Sequence, residues 1–205
     1  RNSDNVIFKT SFYYDLNVIK KHNHIYFILN NGFILIYNDV RRFGFFKLYN
    51  TTDVNKITFF QNLGLEPFSR KFNLKYFKKT VQNKKKKIKD LLMEQNFVSG
   101  LGNIYVNEVL FLSAINPLRS CNKLNNNEIN ILILNIKKIL KNSISKGGSS
   151  IRDFKNTTGK SGKFQQFFHV YGRENKNCSR ISCNGKIEKI RISQRSSFYC
   201  NKCQN

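Results

Sequence analysis

The stretch Cys178-Ser179-Arg180-Ile181-Ser182-Cys183, followed after 16 residues by Cys200-Asn201-Lys202-Cys203, decides the fold of the carboxyl-terminal end. Two close cysteine pairs at this separation are typical of a zinc ribbon, in which each pair lies on a hairpin turn and four thiolates surround one ion. A tail of this size has no other evident means of holding a core. We therefore predict one structural Zn²⁺ ion, with ligands Cys178, Cys183, Cys200 and Cys203. The fifth cysteine, Cys121, lies apart and is predicted to be a structural thiol.

Between the two pairs, the run Gln194-Arg195-Ser196-Ser197-Phe198-Tyr199 places an arginine near the tip of the predicted ribbon. A guanidinium group there can make a bidentate contact with a phosphate. The alternative is a solvated turn arginine, and the ribbon alone does not decide between them.

Helical periodicity dominates the segment upstream of the ribbon. Ile88, Leu91 and Leu92 fall on one face of a predicted helix that follows the run Lys84–Lys87. Three further features complete the helical pattern: a second helix from about Ile104 to Pro117, a third helix that opens with Asn125 and Glu128 as a capping box and ends at Gly147-Gly148, and a short helical piece at Ser149–Phe154.

A glycine-rich turn, Gly100-Leu101-Gly102-Asn103, separates the first two of these helices. Its glycines permit close backbone approach, and the amino end of the following helix offers N–H groups to a phosphate. Glycine turns also occur between helices for packing alone. Because this turn follows a lysine run, we interpret it as part of a DNA clamp.

The amino-terminal third has the pattern of a sheet. The apolar runs Ile25–Leu29 and Phe33–Tyr37 flank Asn30-Asn31-Gly32, which predicts a hairpin, and a third predicted strand runs from Phe43 to Tyr49. The turn Asp39-Val40-Arg41-Arg42-Phe43-Gly44 carries two arginines beside a phenylalanine. This combination suits insertion into a base stack, although a core phenylalanine flanked by surface arginines fits equally well.

The charge balance indicates a polyanionic partner. The chain has 36 Lys and Arg against 12 Asp and Glu, a net charge of +24, which favours nucleic acid first and an anionic membrane second. Part of this excess is what an AT-rich genome would produce. No apolar run is long enough to span a bilayer, and the opening Arg1-Asn2-Ser3-Asp4 is not a signal peptide. We expect a soluble intracellular protein and, because Arg1 is not an initiator methionine, a fragment.

In order along the chain, these segments resemble formamidopyrimidine-DNA glycosylase from about residue 21 to the end. The matching pieces are Lys21–His24, Asp39–Gly44, Leu63–Pro67, Ile88–Gln95, Gly100–Leu112, Gly147–Phe154, Val170–Arg173 and Gln194–Gln204. The resemblance implies an α+β protein with three parts. Residues 1–66 would be the carboxyl-terminal part of a β-sandwich domain, 67–163 a helix–two-turn–helix domain with a base-covering loop at Thr157–Lys163, and 164–205 a zinc-finger module.

The resemblance also implies an activity, namely removal of oxidised purines such as 8-oxoguanine and formamidopyrimidines from duplex DNA, followed by strand nicking through β,δ-elimination. In that family an N-terminal proline amine attacks the sugar and an adjacent glutamate handles protons. Neither residue is in this chain, and we expect both upstream of Arg1. Two alternatives stay open: a catalytically dead DNA-binding remnant, and an endonuclease VIII-type glycosylase for oxidised pyrimidines.

Individual residues can be carried over from the family by their motifs. The resemblance implies DNA contacts by His22, Arg41, Phe43, Lys84, Asn103 and Arg195, and it assigns Arg195 an additional catalytic role in the second elimination. Asn103 and Arg195 match the pair that holds the phosphates flanking the lesion, and Arg41 and Phe43 match residues that fill the space left by the displaced base. We expect a monomer that binds damaged double-stranded DNA and no membrane, in the bacterial cytoplasm, associated with the nucleoid, or in a DNA-containing organelle.

Overall fold

The computed structural model of the chain describes residues 20–149 and 162–205. The chain divides into two compact units, the first comprising Arg1–Val54 with Lys146–Gln165, and the second comprising Asn55–Ser145 with Gln166–Asn205. In the described ranges the first unit contains a β-hairpin, and the second contains a set of helices followed by a two-stranded ribbon. The predicted α+β class is therefore confirmed.

The hairpin of the first unit consists of β1 (Asn23–Ile28) and β2 (Ile34–Asn38), which pair antiparallel. At the turn, the Leu29 amide donates to the Phe33 carbonyl at 2.9 Å, and Gly32 has a φ of +78°. That left-handed conformation is readily available to glycine. The hairpin predicted from Asn30-Asn31-Gly32 is confirmed.

The predicted third strand at Phe43–Tyr49 is wrong. Residues 43–50 form no strand and pair with neither β1 nor β2. Instead, the Phe46 ring packs on the hairpin face, with ring centroids 5.4 Å from Phe27 and 4.6 Å from Tyr37. The preceding turn holds Arg42 at a φ of 56°. It directs the chain across the face of the hairpin rather than along its edge.

The second unit contains α1 (Thr58–Gln61), α2 (Leu74–Val81), α3 (Ile88–Met93), α4 (Asn103–Leu112) and α5 (Asn126–Ser145). α4 packs against both α3 and α5, and α2 packs against α5. Their apolar faces form a core in which the following side chains are at most 2% exposed: Phe77, Ile88, Leu91, Leu92, Val106, Val109, Leu110, Ile129, Leu132 and Ile136. The stripe predicted at Ile88, Leu91 and Leu92 is part of this core, whereas α2, which carries Phe77, was not predicted.

Local capping sets where the helices begin and end. At the start of α5, the Asn125 Oδ1 accepts from the Glu128 amide and the Glu128 carboxylate accepts from the Asn125 amide, each at 2.9 Å. This reciprocal arrangement is the predicted capping box. α4 ends at Leu112, before the predicted end at Pro117. Ala114 has a φ of 56°, and this left-handed residue stops the helix.

The carboxyl-terminal ribbon consists of β3 (Ile187–Ile192) and β4 (Arg195–Cys200), paired antiparallel, and it confirms the predicted hairpin. Ser193 and Gln194 at its tip have φ angles of 44° and 63°, the conformation of a tight hairpin turn. The ribbon packs on the carboxyl-terminal half of α4 through a small core that joins Phe111 and Val170 to Ile187 and Phe198.

Two predictions fall largely on residues 150–161, outside the described residues: the helix at Ser149–Phe154 and the base-covering loop at Thr157–Lys163. Among the helices in the described part of the chain, none combines the length and apolar character needed to cross a membrane.

Candidate nucleic-acid interface

The four carboxyl-terminal cysteines lie together as predicted. Their sulfur atoms all lie within 4.8 Å of one another, with 3.6 Å between Cys183 and Cys200 and 3.8 Å between Cys178 and Cys203. Four thiolates around Zn²⁺ at about 2.3 Å require separations of this size. Gly185 is needed beside them, because a Cβ atom there would lie 2.6 Å from the Cys200 sulfur. The donor set fits one structural zinc ion.

Cys121 is separate from this set. Its side chain is fully buried in the helical core, and burial raises the pKa of its thiol to about 11. It is thus a structural thiol, as predicted.

The long spacer of the first cysteine pair carries a contact to the helical core. The Arg180 guanidinium donates to the carbonyls of Phe111 and Leu112 at 2.6 and 3.3 Å, and it lies 5.0 Å from the centroid of the Phe111 ring. These carbonyls are at the end of α4, where a cation is favoured. The longer spacer therefore joins the zinc module to the helices.

A second joint between α4 and the zinc module is the buried carboxylate of Glu108. It accepts the backbone N–H groups of His169, Val170 and Tyr171 at 2.8, 3.0 and 2.9 Å. The side chain is fully buried. Glu108 is the one charged residue of α4, and its position among buried apolar residues was the only sequence signal for this role.

The glycine-rich turn before α4 is braced by Gln95. Its side chain accepts from the Gly100 amide at 2.9 Å and donates to the Leu101 carbonyl at 3.1 Å. Gly100 has a φ of +77°. The residue that precedes α4, Gly102, has no side chain and makes no capping hydrogen bond. The amino end of α4 is therefore suited to an anion.

The structure brings Asn103 and the Arg195 turn together. The Asn103 side-chain amide donates to the Ser196 carbonyl at 3.1 Å. Behind it, Asn107 donates to the Asn103 carbonyl and accepts from the Phe198 amide, both at 2.6 Å. Arg195 is exposed at the first position of β4. The two predicted phosphate-binding residues are thus adjacent along one hydrogen-bonded path.

Lys89 is part of the same arrangement, and the sequence reasoning missed it. Its ammonium group donates to the Ser196 carbonyl at 3.1 Å and also to the Ser197 hydroxyl. The residue is 1% exposed, and burial lowers the pKa of the ammonium to about 8. The Asp90 charge opposes this shift, and the Arg195 charge adds to it. The available signal was its position three residues before the buried Leu92.

In the first unit, Asp39 organises the turn that carries Arg41 and Phe43. One carboxylate oxygen accepts from the Arg41 and Arg42 amides at 2.9 and 3.0 Å, and the other accepts from the Gly44 amide at 2.8 Å. These hydrogen bonds, with Gly44 contributing most, lower the Asp39 pKa to about 2. The carboxylate therefore stays ionised at neutral pH.

The turn presents Phe43 to solvent. The ring is 77% exposed and lies 4.7 Å from the Arg41 guanidinium carbon. Gly44 is required here, because a Cβ atom would lie 1.5 Å from the Tyr37 hydroxyl oxygen. An exposed ring beside arginine fits the wedge interpretation and not the interpretation as a core residue.

Two predicted DNA-contacting residues remain, His22 beside the Asp39 turn and Lys84 in the loop before α3. The half-buried His22 holds the Asp39 turn through its backbone, since its carbonyl accepts from the Asp39 amide at 3.0 Å. Lys84 lies in the loop before α3, and its ammonium is 4.0 Å from the Glu94 carboxylate. His22, Arg41 and Phe43 thus belong to one unit, and Lys84, Asn103 and Arg195 to the other.

Two family models match separate parts of the chain. Residues 63–155 match the family model of the formamidopyrimidine-DNA glycosylase H2TH domain, and residues 176–205 match that of the zinc finger found in FPG and IleRS. Relatives named formamidopyrimidine-DNA glycosylase include one from Rickettsia africae, 44% identical over 90% of this chain and 67% of its own length. One from Ruegeria is 38% identical over 91% of this chain and 66% of its own.

Solved structures of the same group are similar in fold. The complex of Lactococcus lactis Fpg with DNA containing an abasic site has a TM-score of 0.77 and 41% identity, covering 84% of this chain and 62% of the other. A complex of MutM with DNA containing carbocyclic 8-oxoguanine has a TM-score of 0.76 and the same identity and coverage. The chain therefore spans about two thirds of the length of the proteins it matches. By its fold and by its similarity to these relatives, this chain belongs to the formamidopyrimidine-DNA glycosylase family.

Proposed function

We propose that this chain is the DNA-gripping part of a base excision repair glycosylase and AP lyase that removes oxidised purines from duplex DNA. The observation that carries the proposal is the adjacency of Asn103 and Arg195. Asn103 lies at the amino end of α4 and Arg195 at the tip of the zinc ribbon, and the Asn103 side chain donates to the carbonyl of Ser196, the residue after Arg195. Two donors held in this way suit neighbouring phosphates of one DNA strand.

The grip has a physical purpose in such a reaction. A glycosylase must take the damaged nucleotide out of the base stack, which costs a few kcal/mol. Holding the phosphates on both sides of the lesion bends the duplex, and the phosphate contacts offset part of that cost. Arg195 supplies a charged fork for one phosphate, while Asn103 and the amino end of α4 supply neutral donors for the next.

Arg41 and Phe43 suit the second requirement, which is to occupy the space left by the extruded nucleotide. Phe43 is exposed on a turn fixed by the Asp39 carboxylate, and Arg41 lies against its ring. An apolar ring can enter the stack, and the guanidinium can bond the orphaned base. Because the turn is already formed, little ordering entropy is lost on binding.

The nucleophile that the family uses is not among these 205 residues. A proline amine can form a Schiff base with the sugar only when it is an N-terminal amine, whereas Pro67 and Pro117 are internal. Within the given sequence, Arg195 is the residue proposed to assist the second elimination step. A catalytically dead DNA-binding remnant is the second candidate function.

Two of the solved relatives are complexes with a purine lesion in the DNA, carbocyclic 8-oxoguanine in one and Fapy-dG in the other, which supports a purine substrate over an oxidised pyrimidine. We propose the same substrate class here, with endonuclease VIII-type activity as the alternative. We further propose action as a monomer, in the bacterial-type cytoplasm in association with the nucleoid or in a DNA-containing organelle. The bacterial relatives support the cytoplasmic location.

Binding of the 205-residue chain to duplex DNA tests the grip. We expect tighter binding to a duplex with a tetrahydrofuran abasic analogue than to an undamaged duplex, and a steep loss of affinity with salt. Arg195→Ala should cost about tenfold or more, because a hydrogen bond to a charged group contributes about 1.5–3 kcal/mol. Arg191→Ala, an exposed arginine on the opposite face of the ribbon, is the control. Equal affinity for both duplexes would refute the proposal.

Trapping and cleavage assays distinguish the glycosylase from the catalytically dead DNA-binding remnant. We expect the protein extended to its natural N-terminus to be trapped on 8-oxoguanine DNA by borohydride and to cleave it faster than thymine glycol DNA. Binding without trapping would favour the remnant, and preferred cleavage of thymine glycol DNA would favour the endonuclease VIII type.

A further inference from the structure

Lys89 is the one lysine among the buried side chains of the described residues, and it has no carboxylate as a hydrogen-bond partner. Burying a cation that has no hydrogen-bonded counter-ion is costly, and the Asp90 charge offsets only part of that cost, because the net effect of the surroundings is to lower the Lys89 pKa. Its two acceptors, the Ser196 carbonyl and the Ser197 hydroxyl, belong to the residues directly after Arg195. The buried ammonium is therefore bonded to the turn that carries Arg195, the proposed phosphate-binding residue.

Lys89 reaches β4 from a different helix than the two asparagines that also bond to β4. Lys89 lies on α3, whereas Asn103 and Asn107 lie on α4. The three side chains converge on three consecutive residues of β4, namely Ser196, Ser197 and Phe198. Two helices thus hold one short stretch of backbone through hydrogen bonds, next to the exposed Arg195.

A direct contact between Lys89 and DNA does not fit this geometry. At 1% exposure the ammonium cannot reach a phosphate, and two of its three N–H donors already bond to β4. Any effect of Lys89 on DNA must therefore pass through the residues it holds. The residue directly before that pair is Arg195, whose exposed side chain has access to DNA and whose charge acts on the Lys89 ammonium.

We propose that Lys89 is a positioning residue for Arg195, locking the tip of the zinc ribbon onto α3 so that the guanidinium is placed for a phosphate before DNA arrives. The inference rests on the proposed function for its DNA-binding consequence, but not for the lock itself. A preformed tip loses less conformational entropy on binding than a mobile one.

Hydrogen exchange on the free protein tests the lock. The Phe198 amide bonds to Asn107 and so reports docking of the tip, whereas the Cys178 amide bonds to the Gly185 carbonyl within the zinc module. Lys89→Met should accelerate exchange at Phe198 at least tenfold and leave Cys178 and the zinc content unchanged. Lys87→Met, which removes an exposed lysine two residues earlier, should change neither. Unchanged exchange at Phe198 would overturn the proposal.

A double-mutant cycle tests the path through Arg195. For a duplex with a tetrahydrofuran abasic analogue, Lys89→Met should weaken binding about tenfold in the wild-type background and less than twofold in the Arg195→Ala background. Equal losses in both backgrounds would show that Lys89 acts separately, and would overturn it. Ser197→Ala removes one acceptor without adding volume and should weaken binding in the same non-additive way, which keeps the test valid if Lys89→Met folds poorly.

The two hypotheses fail differently. If the wild-type chain shows no preference for the lesion duplex, the proposed function fails, while exchange at Phe198 still decides whether Lys89 locks the tip. If the preference is present and Lys89→Met leaves both exchange and affinity unchanged, the lock fails alone.

Discussion

Replacing Glu108 by glutamine is predicted to loosen the zinc module from the helices. One carboxylate oxygen accepts from the Val170 and Tyr171 amides, and the other accepts from the His169 amide. Glutamine keeps one oxygen as an acceptor for two of the three amides, but its N–H₂ group faces the N–H of the remaining amide and cannot accept from it. One charge-assisted hydrogen bond is lost outright and two become neutral. Because each such bond contributes about 1.5–3 kcal/mol, we expect a loss of about 3 kcal/mol.

The assay is thermal unfolding of the zinc-loaded chain, followed by the near-ultraviolet signal of its aromatic residues. A loss of about 3 kcal/mol corresponds to a fall of about 10 °C in the melting temperature of a unit of this size. The matched control is Glu174→Gln, since that carboxylate is 46% exposed and pairs with Lys189 at 3.3 Å. The control should change stability by less than about 0.5 kcal/mol. Equal effects of the two substitutions would refute the reasoning about burial.

Three further outcomes are expected. Cys200→Ser should lose zinc and the folded ribbon, since a structural zinc ion supplies folding free energy, whereas Cys121→Ser should keep full zinc content; a zinc-loaded Cys200→Ser protein would contradict the ligand set. The folded-state pKa of Lys89 (about 8) lies below the ordinary value of 10.5, so the unfolded chain binds more protons between these values and stability should rise with pH there. As the pH rises through this range, the unfolding free energy of the wild type should therefore increase relative to that of Lys89→Met, by at most about 1.4 kcal/mol per pH unit. A difference that does not change with pH would count against the buried ammonium. Asp39→Asn should speed hydrogen exchange at the Gly44 amide, and an unchanged rate would show that the carboxylate does not hold the turn.

Short-range rules account for the parts that the sequence predicted well. The Asn-Gly hairpin, the Asn125–Glu128 capping box and the zinc ribbon each depend on residues close together in the chain or on a spacing that few other folds use. Among the site residues, Arg195 lies beside the ribbon tip as predicted, whereas Asn103, predicted as the last residue of the turn, is the first residue of α4.

Long-range contacts account for the failures. The run Phe43–Tyr49 has the composition of a strand, but the Asp39 turn carries it onto the hairpin face, where it packs and does not pair. The roles of Lys89 and Glu108 depend on partners that are 107–108 and 61–63 positions away in the chain, respectively. Helical periodicity cannot identify a partner that far away in the chain, so neither residue was predicted to have a structural role.

The central claim is that Arg195 holds a phosphate beside the lesion. It is tested most directly by placing a single neutral methylphosphonate at each phosphate near a tetrahydrofuran abasic analogue, and measuring binding of wild type and of Arg195→Ala. We predict that a methylphosphonate at one phosphate beside the lesion weakens DNA binding by the wild type about tenfold. The same substitution should leave binding by Arg195→Ala unchanged, because that variant lacks the guanidinium that would bind this phosphate. If every position weakens both proteins equally, Arg195 holds no phosphate at the lesion and the account of the grip is wrong.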